Sequence, residues 1–328
     1  MARGRPNPLG QHPLRDDLSR GANGWGTVFT VPVTGGSPTV LASFSGSNGE
    51  GPHGLTLSDN TLYGTAAWGG YRWGTVFSIP VTGGSLTVLA SFNGANGQTP
   101  EAGLTLSGNT LYGTTTEGGG DGEGNVFSVP VTGGSPTVLA SFNGSNGEYP
   151  STDLTLAGNT LYGTTPDSGA YGLGEVFSVP ITGGTPAVLA SFNGTNGQQP
   201  EAGLTLSGST LYGTTVVGGP NGVGTVFSVP VTGGSPTVLA AFNGSNGENP
   251  VGDLTLSGNT LYGTTDGGGA NGGGTVFALS IPEPATSSLL LVASAGILLR
   301  RVRPHPIRSR PFRCGRSASG IVTDPSAF

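Results

Sequence analysis

Short runs of alternating apolar and polar residues recur along most of the chain. In one representative stretch they occupy residues 104–106, 110–114, 125–129 and 137–142, with segments rich in Gly, Asn and Pro between them. A period of two bounded by turn residues predicts β-strands, and the close spacing of the first two runs predicts a hairpin. No run shows the 3.6-residue apolar periodicity of a helix, so this part of the chain is predicted to be all-β.

The alternation also assigns side chains to the faces of these strands. Phe127 and Val129 are expected to share one face of the third strand, and Val138, Ala140 and Phe142 one face of the fourth. Proline cannot donate to a central strand ladder, so the third strand is expected to end at the proline that follows Val129.

The four runs repeat along the chain with a period close to 50 residues. Such a period indicates stacked supersecondary units, and four short strands per unit are typical of a propeller blade. The predicted fold is therefore an all-β propeller of about five, or six, four-stranded blades. Two phrases mark the repeats: G-x-V-F begins at Gly26, Gly74, Gly124, Gly174, Gly224 and Gly274, and L-Y-G-T at Leu62, Leu111, Leu161, Leu211 and Leu261.

Closure of the ring depends on the two incomplete ends of the array. Residues 26–44 contain only the third and fourth strands of a repeat, and residues 254–279 contain the first three. Together they are predicted to form one blade, which would remove the exposed strand edges that invite aggregation. Because the third strand is present twice, a sixth, imperfect blade stays open as an alternative. An open β-solenoid is the other architecture that fits the repeats.

Charge and cysteine content narrow the classes of function. The chain has no Lys, and residues 21–299 carry 15 Asp and Glu against the single Arg72. Nucleic-acid binding requires basic surfaces, so nucleic acid is not expected as a partner. The only cysteine, Cys314, lies outside the repeats and excludes an intrachain disulfide.

The segment after the repeats has the character of a membrane-sorting signal. An uncharged, mostly apolar run at 285–299 follows Pro282, Glu283 and Pro284, as the printed sequence shows. Arginines on the far side of such a run favour the cytoplasmic side of a bilayer. Fifteen residues are few against the roughly 20 that span a bilayer. They favour a short hydrophobic helix with transient membrane contact, and a buried helix is the alternative. The basic flank consists of Arg300, Arg301 and Arg303.

This tail resembles the PEP-CTERM sorting signal of Gram-negative bacteria, and the L-Y-G-T-T and G-T-V-F phrases resemble the GloVer tandem-repeat family. The resemblance implies export, processing by an exosortase-type enzyme as partner, and delivery to the cell surface, outer membrane or extracellular matrix. The GloVer family implies no established molecular activity, so no catalytic residue follows from it.

Four segments are predicted along the chain. Residues 1–20 form a disordered N-terminus or one whose start is misassigned, since they lack the apolar core of a secretion signal. Residues 21–280 form the repeat propeller, and 281–303 form the sorting or anchor segment. Residues 304–328 form a disordered basic tail.

Chemistry-bearing residues are scarce in the repeats. His12, His53 and His305 do not recur, so neither a His-based triad nor a His-rich metal site is expected. Glycine-rich loops lack the Lys and following helix of a phosphate loop. No catalytic residue, cofactor or metal is therefore assigned. Calcium stays open as an alternative, because carboxylates recur in the repeats and could supply oxygen ligands. Each repeat offers one carboxylate, however, and a calcium site requires several. These carboxylates are Glu101, Asp153, Glu201 and Asp253.

One tyrosine recurs in each L-Y-G-T phrase. The simpler interpretation is an aromatic residue packed between blades. The functional interpretation is a ring of sugar-binding sites, with polar contacts from Asn143, Asn193 and Asn243. An exposed pair among Trp25, Trp68 and Trp73 is a further candidate to contact sugar. The candidate ligand-contact residues are Tyr63, Tyr112, Tyr162, Tyr212 and Tyr262.

Three hypotheses about function follow. The first is an exported, non-enzymatic repeat protein with a structural or adhesive role at the cell surface or in the extracellular matrix. The second is a lectin-like propeller that binds extracellular polysaccharide with one weak site per blade. The third, a glycan-cleaving enzyme, would require paired carboxylates, and no pair is placed recognisably by the sequence.

Overall fold

The computed structural model describes residues 14–17, 23–70 and 72–281, with side chains from residue 23 onward. All of them belong to the first of two compact units, Met1–Thr286. The described residues form 22 β-strands and contain no helix. The strands are β1 Leu14–Asp17, β2 Thr27–Thr30, β3 Thr39–Ser43, β4 Glu50–Ser58, β5 Thr61–Trp68, β6 Thr75–Pro80, β7 Thr87–Ser91, β8 Thr105–Ser107, β9 Thr110–Thr115, β10 Asn125–Pro130, β11 Thr137–Ser141, β12 Thr155–Ala157, β13 Thr160–Thr165, β14 Glu175–Pro180, β15 Ala187–Ser191, β16 Thr205–Ser207, β17 Thr210–Thr215, β18 Thr225–Pro230, β19 Thr237–Ala241, β20 Thr255–Ser257, β21 Thr260–Thr264 and β22 Val276–Ser280.

These strands form six antiparallel sheets in chain order. The first sheet is β1-β2-β3, the second to fifth are β4 to β7, β8 to β11, β12 to β15 and β16 to β19, and the sixth is β20-β21-β22. Each four-stranded sheet is a meander, and its strands are called A, B, C and D here in chain order. The predicted hairpin is confirmed, because Thr105–Ser107 pairs with Thr110–Thr115 across a turn that contains Gly108 at φ 56°.

The two ends of the array do not combine into one sheet as the sequence predicted. The N-terminal C and D strands, β2 and β3, pair with β1, whereas β20, β21 and β22 form a separate sheet. Leu14–Asp17 aligns antiparallel with Thr27–Thr30, as strand B does in the other sheets. The segment predicted to be disordered thus contributes a strand, and the first sheet is formed by three strands that are close in sequence.

One interface joins each sheet to the next. In the third sheet Tyr112, Val126, Ala140 and Phe142 form an exit face that packs on the entry face of the fourth sheet. The entry face of the third sheet packs in the same way against the second sheet. Equivalent clusters join the first to the second, the fourth to the fifth and the fifth to the sixth sheets. The entry face of the third sheet consists of Leu104, Leu111, Phe127 and Val129.

An edge-to-face pair of phenylalanines lies at the centre of every interface. Phe142 and Phe177 have ring centroids 4.9 Å apart at an interplanar angle of 72°, and the other four pairs are 4.9–5.0 Å apart. The glycine of the L-Y-G-T phrase makes room for this ring, since a Cβ on Gly163 would lie 2.5 Å from Phe177. The repeated phrase therefore records a packing requirement.

A β-bulge corrects the predicted facing of strand D. Val126 pairs with Ala140, but Phe127 pairs with Val138, so Leu139 is the extra residue. A bulge shifts the alternation by one residue and places the preceding side chain on the opposite face. Ala140 and Phe142 are buried in the interface as predicted, whereas Val138 is exposed.

Hydrogen bonds between neighbouring A strands bring these strands close together. The Thr105 hydroxyl donates to the Leu154 carbonyl over 2.5 Å. Corresponding bonds run from Thr56, Thr155 and Thr205 to the Leu104, Leu204 and Leu254 carbonyls. Strand A of one sheet is thus tied to the segment that enters strand A of the next, and strand D forms the opposite edge of the first five sheets.

The exit face of the sixth sheet is exposed. Val276 is 80% exposed and Tyr262 43%, whereas the equivalent Val226 and Tyr212 of the fifth sheet are 0% and 7% exposed. No described residue covers this face. Five interfaces therefore join the six sheets in a row.

The remaining sequence predictions fall outside the described residues. These are the C-terminal hydrophobic helix, the sorting segment from residue 282 onward and the basic tail. The N-terminal segment also lies there, except for β1. Within the described ranges, no helix has the length and apolarity needed to cross a bilayer.

Candidate functional site

The turns after strand D form a repeated polar surface. The Asn143 backbone N–H donates to Asn146 Oδ1 over 2.9 Å, and Asn143 Oδ1 accepts from the Ser145 N–H and hydroxyl. Closely similar bonds join Asn193 with Asn196 and Asn243 with Asn246. The amide oxygens predicted to contact sugar are thus engaged in building their own turns.

Shallow hollows run between these turns and the next sheet. One is lined by Val138, Ser141, Asn143 and Asn146 and closed by the glycine turn of the fourth sheet. A second, equivalent hollow contains Asn193. Both lie along the D-strand edge, and neither is lined by a tyrosine of the L-Y-G-T phrase.

Four of the five repeated tyrosines lie between the sheets. Tyr112, Tyr162 and Tyr212 are each only 7% exposed and belong to the exit-face clusters. Tyr63 is half-buried against the interface of the second and third sheets, and Tyr262 is on the exposed exit face of the sixth. The structure does not bring these rings together with Asn143, Asn193 and Asn243 in one site.

Two tryptophans are among the exposed aromatic rings next to the asparagine turns, and Tyr171, which is 63% exposed beside Asn193, is another. Trp25 and Trp73 precede the first and second G-x-V-F phrases and are 39% and 38% exposed. A Cβ placed on Gly46 would contact the Trp25 ring at 3.7 Å, and one on Gly94 the Trp73 ring at 3.9 Å. Their equivalence is visible in the sequence once the G-x-V-F phrases are aligned, although the rings do not recur in later repeats.

The recurrent aspartates join neighbouring sheets. Asp153 Oδ1 accepts the Gly103 N–H over 2.5 Å, and Asp253 Oδ1 accepts the Gly203 N–H over 2.6 Å. Glu101, in an alternate repeat, accepts from the Thr116 hydroxyl. No group of three or more His, Cys, Asp or Glu side chains in the described part of the chain is placed to hold a metal ion.

We expect Asp153→Ala to lower the free energy of unfolding by about 1.5–3 kcal/mol, since the change removes a charge-assisted bond and leaves the Gly103 N–H unpaired. Urea denaturation measures the loss. Asp153→Asn keeps an acceptor oxygen and should lose less. Equal stability of the Asp153→Ala variant and the wild type would show that the bond between the sheets contributes nothing.

Glu175 is the most unusual polar residue in the described structure. It occupies the first position of its C strand, is fully buried, and neither carboxylate oxygen has a hydrogen-bond partner among the described residues. Burial raises the pKa of its carboxyl from 4.5 to about 7. The sequence carried one signal of this site, which is that Thr or Asn stands at the same place in every other repeat.

An acidic surface lies beside Glu175. Burial and the neighbouring Glu123 carboxylate raise the pKa of Glu148, with a further contribution from Asp167. A hydrogen bond to Glu123 raises the pKa of the Tyr149 hydroxyl. Glu148 directly follows Gly147, and a Cβ on Gly147 would lie 3.0 Å from Glu175 Oε1. Negative charge is thus concentrated where the third and fourth sheets meet.

The stacked sheets define a tandem-repeat protein built from antiparallel β-units. The chain belongs to the Gloeobacter/Verrucomicrobia repeat family, whose pattern matches residues 18–214 and 157–295. Comparison with curated protein sequences gives no match.

Several solved structures share the fold at low sequence identity. The chain is similar to the computationally designed Ika8 protein, with a TM-score of 0.52, 16% identity, and 85% of this chain and 71% of that one covered. The chain is also similar to a putative TolB from Agrobacterium tumefaciens, with a TM-score of 0.52, 13% identity, and 86% of this chain and 91% of that one covered. A third similar structure is the extracellular domain of a putative hybrid two-component system from B. thetaiotaomicron. Its TM-score is 0.55 at 11% identity, and 84% of this chain and 32% of that one are covered. Identities this low establish the likeness of fold alone.

Proposed function

We propose that the protein is exported and sorted to the cell surface or extracellular matrix, where it has a structural or adhesive role without catalysis. The observation that carries the proposal is the combination of one sheet-and-turn unit repeated along the chain with a tail of sorting-signal character. Pro282, Glu283 and Pro284 precede the apolar run, and Arg300 and Arg301 begin its basic flank.

The repeated turn surface supports an adhesive role on physical grounds. Asparagine turns of the same design lie at 93–96, 143–146, 193–196 and 243–246. A row of equivalent weak contacts raises overall avidity without a strong single site. This surface suits a polymer that repeats its own chemical unit, as an extracellular polysaccharide does.

The six sheets are blades of a propeller-type array in this proposal. Support comes from the four-stranded meanders, from the repeated face-to-face interface and from the A strands that bond to one another along one side. The exposed exit face of the sixth sheet is the surface through which such an array would be completed.

Surface sorting is tested in the source bacterium by protease treatment of intact cells. We expect the wild-type protein to be digested and a variant with Arg300→Ala, Arg301→Ala and Arg303→Ala to be retained at the inner membrane. Without the basic flank, the sorting segment would not be held in the orientation in which it is processed. Arg308→Ala with Arg310→Ala is the matched control outside that flank. Complete protection of the wild type, or normal sorting of the triple variant, would contradict the proposal.

The lectin-like alternative is favoured by Trp25 and Trp73 beside the asparagine turns. Aromatic faces with adjacent polar groups are suited to stack on sugar rings. A polysaccharide array compares the wild type with Trp25→Ala plus Trp73→Ala, and Trp68→Ala is the control because Trp68 is similarly exposed. Binding that is lost only in the double variant supports a lectin, and silence of the wild type across matrix polysaccharides removes that alternative.

A further inference from the structure

Four buried oxygens without partners lie in the fourth sheet and the loop that joins its B and C strands. They are both carboxylate oxygens of Glu175, the Thr165 hydroxyl and the Ser168 hydroxyl, none of which has a hydrogen-bond partner among the described residues. Thr165 and Glu175 are cross-strand partners, and both are 0% exposed. Unpaired buried oxygens are costly, so a group of four requires an explanation.

Two glycine positions show what surrounds the Glu175 carboxylate. A Cβ on Gly169 would lie 2.6 Å from Glu175 Oε2, so the carboxylate lies against the residue that follows Ser168. A Cβ on Gly147 would lie 2.8 Å from Thr165 Cγ2 and 3.0 Å from Glu175 Oε1. The carboxylate is therefore enclosed by the Thr165 strand, the Ser168 loop and the Gly147 turn.

The fifth sheet satisfies the same positions internally, whereas in the third sheet the Thr115 hydroxyl, which is equivalent to Thr165, also lacks a partner. The Thr215 and Thr225 hydroxyls, which are equivalent to Thr165 and Glu175, hydrogen-bond each other over 2.9 Å. Asn125 at the Glu175 position bonds to the Ser141 hydroxyl over 2.8 Å. The unpaired carboxylate of the fourth sheet thus arises from its own sequence, and the fold as such does not require it.

Ser168 is a second departure from the repeat in the same sheet. Its equivalents are Gly118, Gly218 and Gly268, at φ 83°, 77° and 77°, and Ser168 adopts the same left-handed backbone at φ 70°. A side chain in this region is strained, and such strain is concentrated at functional sites. Ser168 is thus a strained, oxygen-bearing residue in the loop whose next residue, Gly169, lies against the Glu175 carboxylate.

We propose that Glu175, Thr165 and Ser168 form a binding site for one monovalent metal cation of the size of sodium or potassium. A single buried carboxylate is neutralised by a single positive charge, and the two hydroxyls supply further oxygen ligands. Calcium takes six to eight oxygens, commonly from several carboxylates, and no cluster of three or more acidic side chains placed to hold a metal exists in the described residues. The chain has no Lys, so no ammonium group can take the place of the cation.

The acidic surface outside the pocket favours entry of a cation. Glu148 interacts electrostatically with Glu123 and with Asp167. Glu148 and Asp167 each adjoin a residue that encloses the pocket. Their combined field raises the local concentration of cations. The site is independent of the proposed surface role, since it concerns the stability of the fourth sheet.

Thermal unfolding of the full chain at pH 8 tests the site. Chloride salts of N-methylglucamine, sodium, potassium and calcium are compared at equal ionic strength. We expect Tm to rise by several degrees when sodium or potassium replaces N-methylglucamine, because a ligand that binds only the folded state stabilises it. Line broadening of the ²³Na resonance, reversed by excess potassium, is the direct readout of binding.

Two variants isolate Glu175 from general salt effects. Glu175→Gln keeps the shape without the charge, and Glu175→Thr restores the residue found in the fifth sheet at Thr225. Both should remain folded and lose the response to sodium and potassium, whereas Glu148→Gln should keep it. The proposal is overturned if the wild type unfolds at the same Tm in all four salts, if calcium alone raises Tm, or if the response persists in Glu175→Gln.

Discussion

Phe177→Ala is expected to lower the free energy of unfolding by about 3–5 kcal/mol, the usual loss when a fully buried phenylalanine is truncated. Phe177 is 0% exposed and packs edge-to-face on Phe142 of the preceding sheet. The change removes the ring that fills the space over Gly163 and leaves a cavity between the third and fourth sheets. Urea denaturation followed by circular dichroism measures the loss.

Phe29→Ala is the matched control for this prediction. Phe29 has the same place in the first sheet, but no sheet precedes it among the described residues and the ring is only half-buried. We expect a loss well below that of Phe177→Ala, because little contact area is removed. Equal losses in the two variants would show that the interface between sheets does not determine the effect.

Removal of the buried carboxylate should stabilise the protein at alkaline pH. The folded pKa of Glu175 is about 7 against an ordinary value of 4.5, so the folded state retains a proton that the unfolded state releases. The stability that this proton contributes is complete below pH 4.5 and is lost as pH rises through about 7. In buffer without sodium or potassium, Glu175→Gln should therefore gain about 3 kcal/mol over the wild type between pH 4.5 and 8.

Urea denaturation of both proteins across this pH range gives the difference directly. Glu123, Glu148 and Asp167 are present in both proteins, so their contributions largely cancel in the comparison. A difference between Glu175→Gln and the wild type that is the same at pH 4.5 and pH 8 would contradict the raised pKa.

The positions of the strands could be predicted from the sequence because the same local pattern recurs in each repeat. Leu111 and Val129 alternate with polar neighbours, and Gly and Asn mark the turns, so strand positions repeat from sheet to sheet. The bulge at Leu139 was missed because an extra residue in one strand is defined only by its pairing with the other. The strand Leu14–Asp17 was missed because it lacks the repeat phrase and forms through its pairing with β2.

The candidate site was predictable only in part, for a related reason. The period identified Tyr112 and its equivalents, but recurrence marks packing as readily as binding, and the structure places Tyr112 in an interface. Glu175 and Ser168 stand out because they depart from the repeat, yet their burial depends on the neighbouring turn around Gly147. In a repeat protein, recurrence therefore indicates architecture and its exceptions are the better guide to chemistry.

The row of six sheets, joined by one interface used five times, is tested most directly by thiol labelling of the exit faces. Val276→Cys and Val226→Cys, each made with Cys314→Ser, introduce one thiol at equivalent positions that are 80% and 0% exposed in the sixth and fifth sheets. We predict that the thiol in the sixth sheet reacts at the rate of an accessible cysteine and the thiol in the fifth only on unfolding. Protection of both thiols in the native protein would contradict the open sixth sheet, and rapid labelling of both would contradict the repeated interface.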